Sequence, residues 1–79
     1  MDLREKLADL QHEIWSHWMK WLFQCCQANE DGSMTIPVEK VERWQRQMKT
    51  PYKHLSESEK DSDRIEADKV LKVLNEPNC

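Results

Sequence analysis

Residues 2–27 read DLREKLADLQHEIWSHWMKWLFQCCQ, and how this stretch winds decides the fold. Placed at helical pitch, Leu3, Leu7, Leu10, Ile14 and Trp21 fall within about 60° of one another, which predicts a long helix over about 2–27 with one packing seam. A second stripe of Trp15, Trp18, Met19 and Leu22 lies beside the first. Together they widen the apolar arc in the second half of the helix to roughly half its circumference. One helical neighbour cannot cover an arc that wide, and the seam of Leu3, Leu7 and Leu10 is longer than two shorter helices would reach.

Downstream, the run from Ala28 to Ser33 is a polar turn, and Asp31-Gly32 flanked by Met34, Thr35 and Ile36 is a hairpin signal, so a very short β-hairpin is expected near 29–37. Pro37 is suited to a first helical turn, and Val38, Val41, Trp44, Gln45 and Met48 repeat at helical spacing, predicting a second helix over 37–49. Thr50-Pro51 stops it, because proline lacks an amide hydrogen and clashes with the preceding turn. After a connector over 52–55, Ser56 and Glu59 have the spacing of a capping box and open a third helix over 57–75, with Ile65, Val70, Leu71, Val73 and Leu74 as its apolar positions and Asn75 and Pro77 as its stop. The fold class is therefore mainly all-α: one three-helix domain over residues 1–79. With 79 residues the core must be thin.

Composition narrows the function classes. One glycine and three prolines are too few turn formers for a many-stranded sandwich or barrel. A net charge of −3 argues against nonspecific nucleic-acid binding, which needs a large cationic footprint. No apolar run approaches the ~18 residues of a membrane span, and the first residues hold acids and no signal-peptide core, so the chain is expected to stay in the cytosol. Cys25 and Cys26 would point about 100° apart on a helix and pair poorly, and Cys79 makes the count odd, which fits a reducing compartment. With His12, His17 and His54 they lack the paired spacing of structural zinc, so no metal site and no cofactor is expected.

The segment from Pro51 carries a resemblance to a known family. Pro51-Tyr52-x-x-Leu55, Glu59-Lys60-x-x-Asp63-Arg64 and Leu71-Lys72-x-Leu74 are similar, without a gap over 51–74, to the P-Y-x-x-L, E-K-x-x-D-R, L-K-x-L signature that closes repeats of the ryanodine-receptor domain family. His12-x-x-Trp15 is similar to the H-x-x-W that opens the family's first helix. Trp21 to Val38 stands in place of the family's G-W-x-Y-G and K-x-x-x-P-x-L-V segments, of which Asp31-Gly32 and Pro37 alone have counterparts. The resemblance implies a compact helical repeat of the kind found in tandem in the receptors and singly in bacterial and phage proteins. In tandem copies the tryptophans of two H-x-x-W segments sandwich a purine base, a role that carries over here to Trp15 only.

No catalytic constellation is visible: there is no nucleophile elbow, no phosphate-cradling glycine loop and no H-E-x-x-H, so an enzyme is not expected. Four tryptophans are the informative residues. Indoles at helical spacing are core or oligomer interface in most small domains, and they also offer flat stacking surfaces for a base. Tyr52 is read as packing its ring on the helices, with a ligand contact as the alternative. Arg43, Lys49 and Lys53 are the cations free to meet a phosphate, while Arg46 points to solvent. At i, i+4 spacing Glu59 meets Asp63 and Lys60 meets Arg64, like with like, so Glu59 is expected to pair among Arg64's neighbours.

The leading expectation is a non-enzymatic module that binds or sequesters a nucleotide-type small molecule through Trp15, Trp18, Trp44, Tyr52, Arg43 and Lys53. Its most specific form is a phage-encoded sponge for a host nucleotide immune signal. The alternative is a protein-interaction or oligomerisation adaptor using the tryptophan-rich face. Both carry the expectation of a homo-oligomer, a dimer or higher, in which the first helix meets its own copy.

Overall fold

The computed structural model describes residues 2–76; the expectations for Pro77 as a helix stop and for Cys79 as a free thiol lie outside the described residues. The described chain is mainly helical. Its elements are α1 (Leu3–Cys25), β1 (Gln27–Ala28), β2 (Met34–Thr35), α2 (Val38–Lys49), a 3-10 turn (Tyr52–His54) and α3 (Glu57–Leu74). Three helices and one very short antiparallel hairpin match the sequence expectation. Two compact units divide these elements: residues 2–16 with 56–76 form the first, and residues 17–55 the second. The continuous α1 gives its N-terminal half to the first unit and its C-terminal half to the second.

In the first unit α1 starts on Asp2, whose carbonyl accepts from the Lys6 amide at 3.0 Å and whose carboxylate accepts from the Glu5 amide at 2.9 Å. That is the behaviour of an N-cap, which satisfies one of the amides a helix start leaves orphaned. The expected capping box opens α3. The Glu59 amide donates to Ser56 Oγ at 3.3 Å, and Glu59 Oε1 accepts from the Ser56 amide at 3.2 Å and from the Ser56 hydroxyl at 2.9 Å. Glu59 is buried by this arrangement. At the other end, Lys6 Nζ lies 4.0 Å from a carboxylate oxygen of Glu76, tying α1 to the segment that follows α3.

The protected row of α3 is Glu59, Ser62, Glu66, Val70 and Val73, at spacings of three and four residues. Three of its five members are polar. Val70 and Val73 hold their expected inward places, but Ile65, Leu71 and Leu74 are exposed, contrary to their reading as packing positions. The reason is rotational: the capping box fixes Glu59 inward at the first turn, and a helix in phase with Glu59 turns Leu71 and Leu74 outward. On α1, Leu10 is buried and Leu7 and Ile14 are half-buried, so the seam is largely covered within the chain, and Leu3 alone of the leucines there is exposed. Among the described residues Leu10 is the one buried apolar side chain.

In the second unit α1 ends at Cys25, two residues short of the sequence expectation, with the Cys26 amide donating back to the Phe23 carbonyl at 3.2 Å. The hairpin claims the residues that follow. Gln27 pairs with Thr35 and Ala28 with Met34, so the first strand lies before the window of 29–37 in which the hairpin was expected. Its tip is a turn closed by Gly32 donating to the Asn29 carbonyl at 3.2 Å and Asn29 donating to the Ser33 carbonyl at 2.9 Å. Gly32 sits at φ 89°, in the left-handed region that a three-residue hairpin loop requires at its last position. Pro37 is the N-cap of α2 and lies outside the helix, its carbonyl accepting from Lys40 and Val41. Thr50 leaves the helix in an extended conformation, as a residue before proline must.

Candidate functional site

Of the six residues read as a ligand site, Trp15 belongs to the first unit and Trp18, Arg43, Trp44, Tyr52 and Lys53 to the second. Trp15 is 56% exposed. Its ring stacks on that of His12, one turn earlier, with centroids 6.0 Å apart and planes inclined by 23°. Both sit on the solvent side of α1, away from the Leu7, Leu10 and Ile14 row.

The second unit is organised by tryptophan. Trp18 and Trp21 meet edge to face with centroids 5.6 Å apart, and Trp21 meets Trp44 of α2 at 5.5 Å. His17 adds an edge contact to Trp18 at 5.9 Å. Edge-to-face and tilted pairs suit the aromatic quadrupole, so the chain of rings is a packing solution in which each indole covers its neighbour. All three indoles are half-buried. Trp21, absent from the expected site, is the ring that joins Trp18 to Trp44; its position on the Leu10 seam was the signal that it faces inward. Two of the expected stacking platforms are thus engaged with other indoles, whereas Trp15 keeps an open face.

Arg43 is exposed on α2, and Tyr52 and Lys53 are exposed on the 3-10 turn. The outward position of Tyr52 differs from its reading as a ring packed on the helices. The following Leu55 is half-buried and donates its amide to the Tyr52 carbonyl at 3.0 Å. Two more apolar side chains of this unit stand out: Met48 is 84% exposed and Val38 69%. The α2 row that faces inward is Lys40, Trp44 and Gln47, with Val41 beside it, one step round from the row the sequence suggested.

Charge is arranged locally. Arg64 bridges Glu57 at 3.0 Å and Asp61 at 2.8 Å, and Lys60 approaches Glu57 at 3.6 Å. Glu59 serves the cap of α3. The Arg64 hydrogen bond, followed by the charges of Arg64 and Lys60, holds the Glu57 carboxyl below its ordinary value. At the hairpin tip Asp31 accepts from the Ser33 hydroxyl at 2.6 Å and from the Ser33 amide at 3.0 Å, and these bonds lower its pKa. Asn29 donates to Ser33 Oγ and to Thr35 Oγ1, closing the loop with side chains as well as backbone.

Cys25 and Cys26 are free and half-buried. Among the described residues no cluster of three His, Cys, Asp or Glu side chains is placed to hold a metal ion, and no helix is long and apolar enough to cross a membrane. No protein-family model matches the chain, and neither a curated protein nor a solved structure is significantly similar to it. The ryanodine-receptor-repeat resemblance therefore stands on the motif residues alone.

Proposed function

We propose that this chain is a non-enzymatic interaction module that works as a homo-oligomer, in a reducing cytosolic setting, with apolar side chains of α3 and α1 as its contact surface. One observation carries the reading. Leu71 and Leu74, one turn apart on α3, are 53% and 51% exposed while the first unit keeps a single buried apolar side chain. Exposed apolar side chains are ordinary when scattered, but adjacent ones beside so small a core mark a surface that is covered in the working state. Leu3, Trp15 and Ile65 add exposed apolar area in the same unit.

The test is native mass spectrometry of the wild type beside Leu71→Glu and Leu74→Glu. An oligomeric wild type and monomeric variants are expected. A wild type of single-chain mass at tens of micromolar would overturn the proposal.

A second reading rests on Trp15. An open indole face backed by His12 is a stacking platform for a purine-type ligand, which is the role implied by resemblance to the ryanodine-receptor repeats. Two copies in one assembly would supply the pair of indoles that tandem repeats supply from one chain, and sequestration of a nucleotide signal would then depend on oligomerisation. Quenching of tryptophan fluorescence by adenine nucleotides or cyclic dinucleotides in the wild type, lost in Trp15→Ala, supports this reading. Unchanged fluorescence removes it.

A further inference from the structure

The two units carry opposite charge. Residues 17–55 hold six Lys and Arg against four Asp and Glu, whereas the rest of the chain holds six against eleven. Asp2, which caps α1, and Glu5, Asp9 and Glu13 on it repeat at three- and four-residue spacing, all exposed, in a stripe beside the Leu7, Leu10 and Ile14 row. Like charges at i, i+4 weaken a helix, and Glu5, Asp9 and Glu13 form no ion pair among the described residues that would offset this. In the second unit Arg43, Arg46 and Lys49 are exposed at three-residue spacing over an arc of about 120° on α2, and Lys53 is exposed on the 3-10 turn, along a stretch, residues 43–56, that contains no acid. Met48 and Tyr52 are exposed in the same stretch and supply apolar contact area beside it.

We infer that the acidic stripe of α1 in one copy docks on the basic stretch of α2 and the 3-10 turn in a second copy. The inference rests on the oligomeric reading above and adds to the apolar surface of the first unit a charged contact with the second unit of another copy. Sign complementarity selects the occupant: the chain carries both halves of the match, each on a different unit, so a second copy fits each face without any other partner. The α1 stripe spans ~16 Å at 1.5 Å per residue and Arg43 to Lys49 cover ~9 Å, with Lys53 beyond the end of α2. Such a contact is head-to-tail, joining unlike surfaces of identical chains. Charge then sets which surfaces meet, while the apolar side chains supply contact area.

A charge-exchange experiment tests this. One variant carries Arg43→Glu, Lys49→Glu and Lys53→Glu, and the other Glu5→Lys, Asp9→Lys and Glu13→Lys, each checked for helicity by circular dichroism. Sedimentation velocity is expected to show the wild type associated, with an association constant falling about tenfold or more as salt screens the pairs. Each variant alone is expected to be monomeric, and their equimolar mixture to recover association. If the triple Lys variant fails to fold, Glu5→Gln, Asp9→Asn and Glu13→Gln replaces it, with weaker association and a flatter salt dependence expected. Salt-insensitive association, or a mixture that stays monomeric, overturns this inference while leaving the oligomeric reading intact. A monomeric wild type overturns both.

Discussion

Gly32 is the residue with least freedom to change. At φ 89° an added Cβ meets nothing within 4 Å, so Gly32→Ala is opposed by backbone strain alone. The expected loss is about 1–2 kcal/mol, measured by chemical denaturation, and no loss would mean the hairpin tip relaxes without cost. The tryptophans separate in the same assay. Trp21→Ala removes the ring joining Trp18 to Trp44 and should cost roughly 2 kcal/mol or more, whereas Trp15→Ala, on an exposed face, should cost less than about 0.5 kcal/mol. Equal losses would contradict the division into a packed cluster and an open indole. Asp31 and Glu57 each contribute to stability in a pH-dependent way. Both carboxyls are lowered on folding, so the unfolded chain binds more protons in acid; their contribution is complete above the ordinary values of 3.8 for Asp31 and 4.5 for Glu57 and is lost as pH falls through them toward the lowered ones. Asp31→Asn should therefore be less stable than the wild type at neutral pH, with the gap closing below about pH 4. A gap independent of pH would show that Asp31 acts by shape and not by charge.

At the scale of elements, much of the architecture was legible. The Ser56 and Glu59 spacing, Pro51 and the apolar repeats fixed three helices within two residues of their observed ends. The end of α1 was less so, because Cys25, Cys26 and Gln27 suit a helix locally and only pairing with Met34 and Thr35 pulls Gln27 into a strand. Facing was least legible. Ile65, Leu71 and Leu74 look like core by composition, but the phase of α3 follows its buried cap residue, and a carboxylate engaged with Ser56 at the first turn is not visible to an apolar-periodicity argument. Glu59→Gln keeps an oxygen to accept from Ser56 and should cost less than about 0.5 kcal/mol, while Ser56→Ala should cost about 1 kcal/mol. A Ser56→Ala protein with unchanged denaturation midpoint would show that α3 is phased by its packing and not by its cap. The same logic applies to the candidate site: Trp15 was legible as exposed only through the H-x-x-W resemblance, while the spacing of Trp18 and Trp21 placed them one turn apart but did not show that Trp44 of another helix would meet Trp21.

For the whole molecule, the balance of surface and core points outward. Leu10 is the one buried apolar side chain among the described residues, against eleven large apolar residues that are exposed. A chain with so little interior gains stability by covering that surface, and a copy of itself offers apolar residues and complementary charge at once. In the proposed homo-oligomer folding and association are linked, so its unfolding temperature should depend on concentration. The most direct measurement is the thermal midpoint of the wild type across a hundredfold range of protein concentration, with Leu71→Glu as the reference. The wild-type midpoint should climb by roughly 3–5 °C for each tenfold increase, and that of Leu71→Glu should stay level. A wild-type midpoint that does not move with concentration would contradict the account.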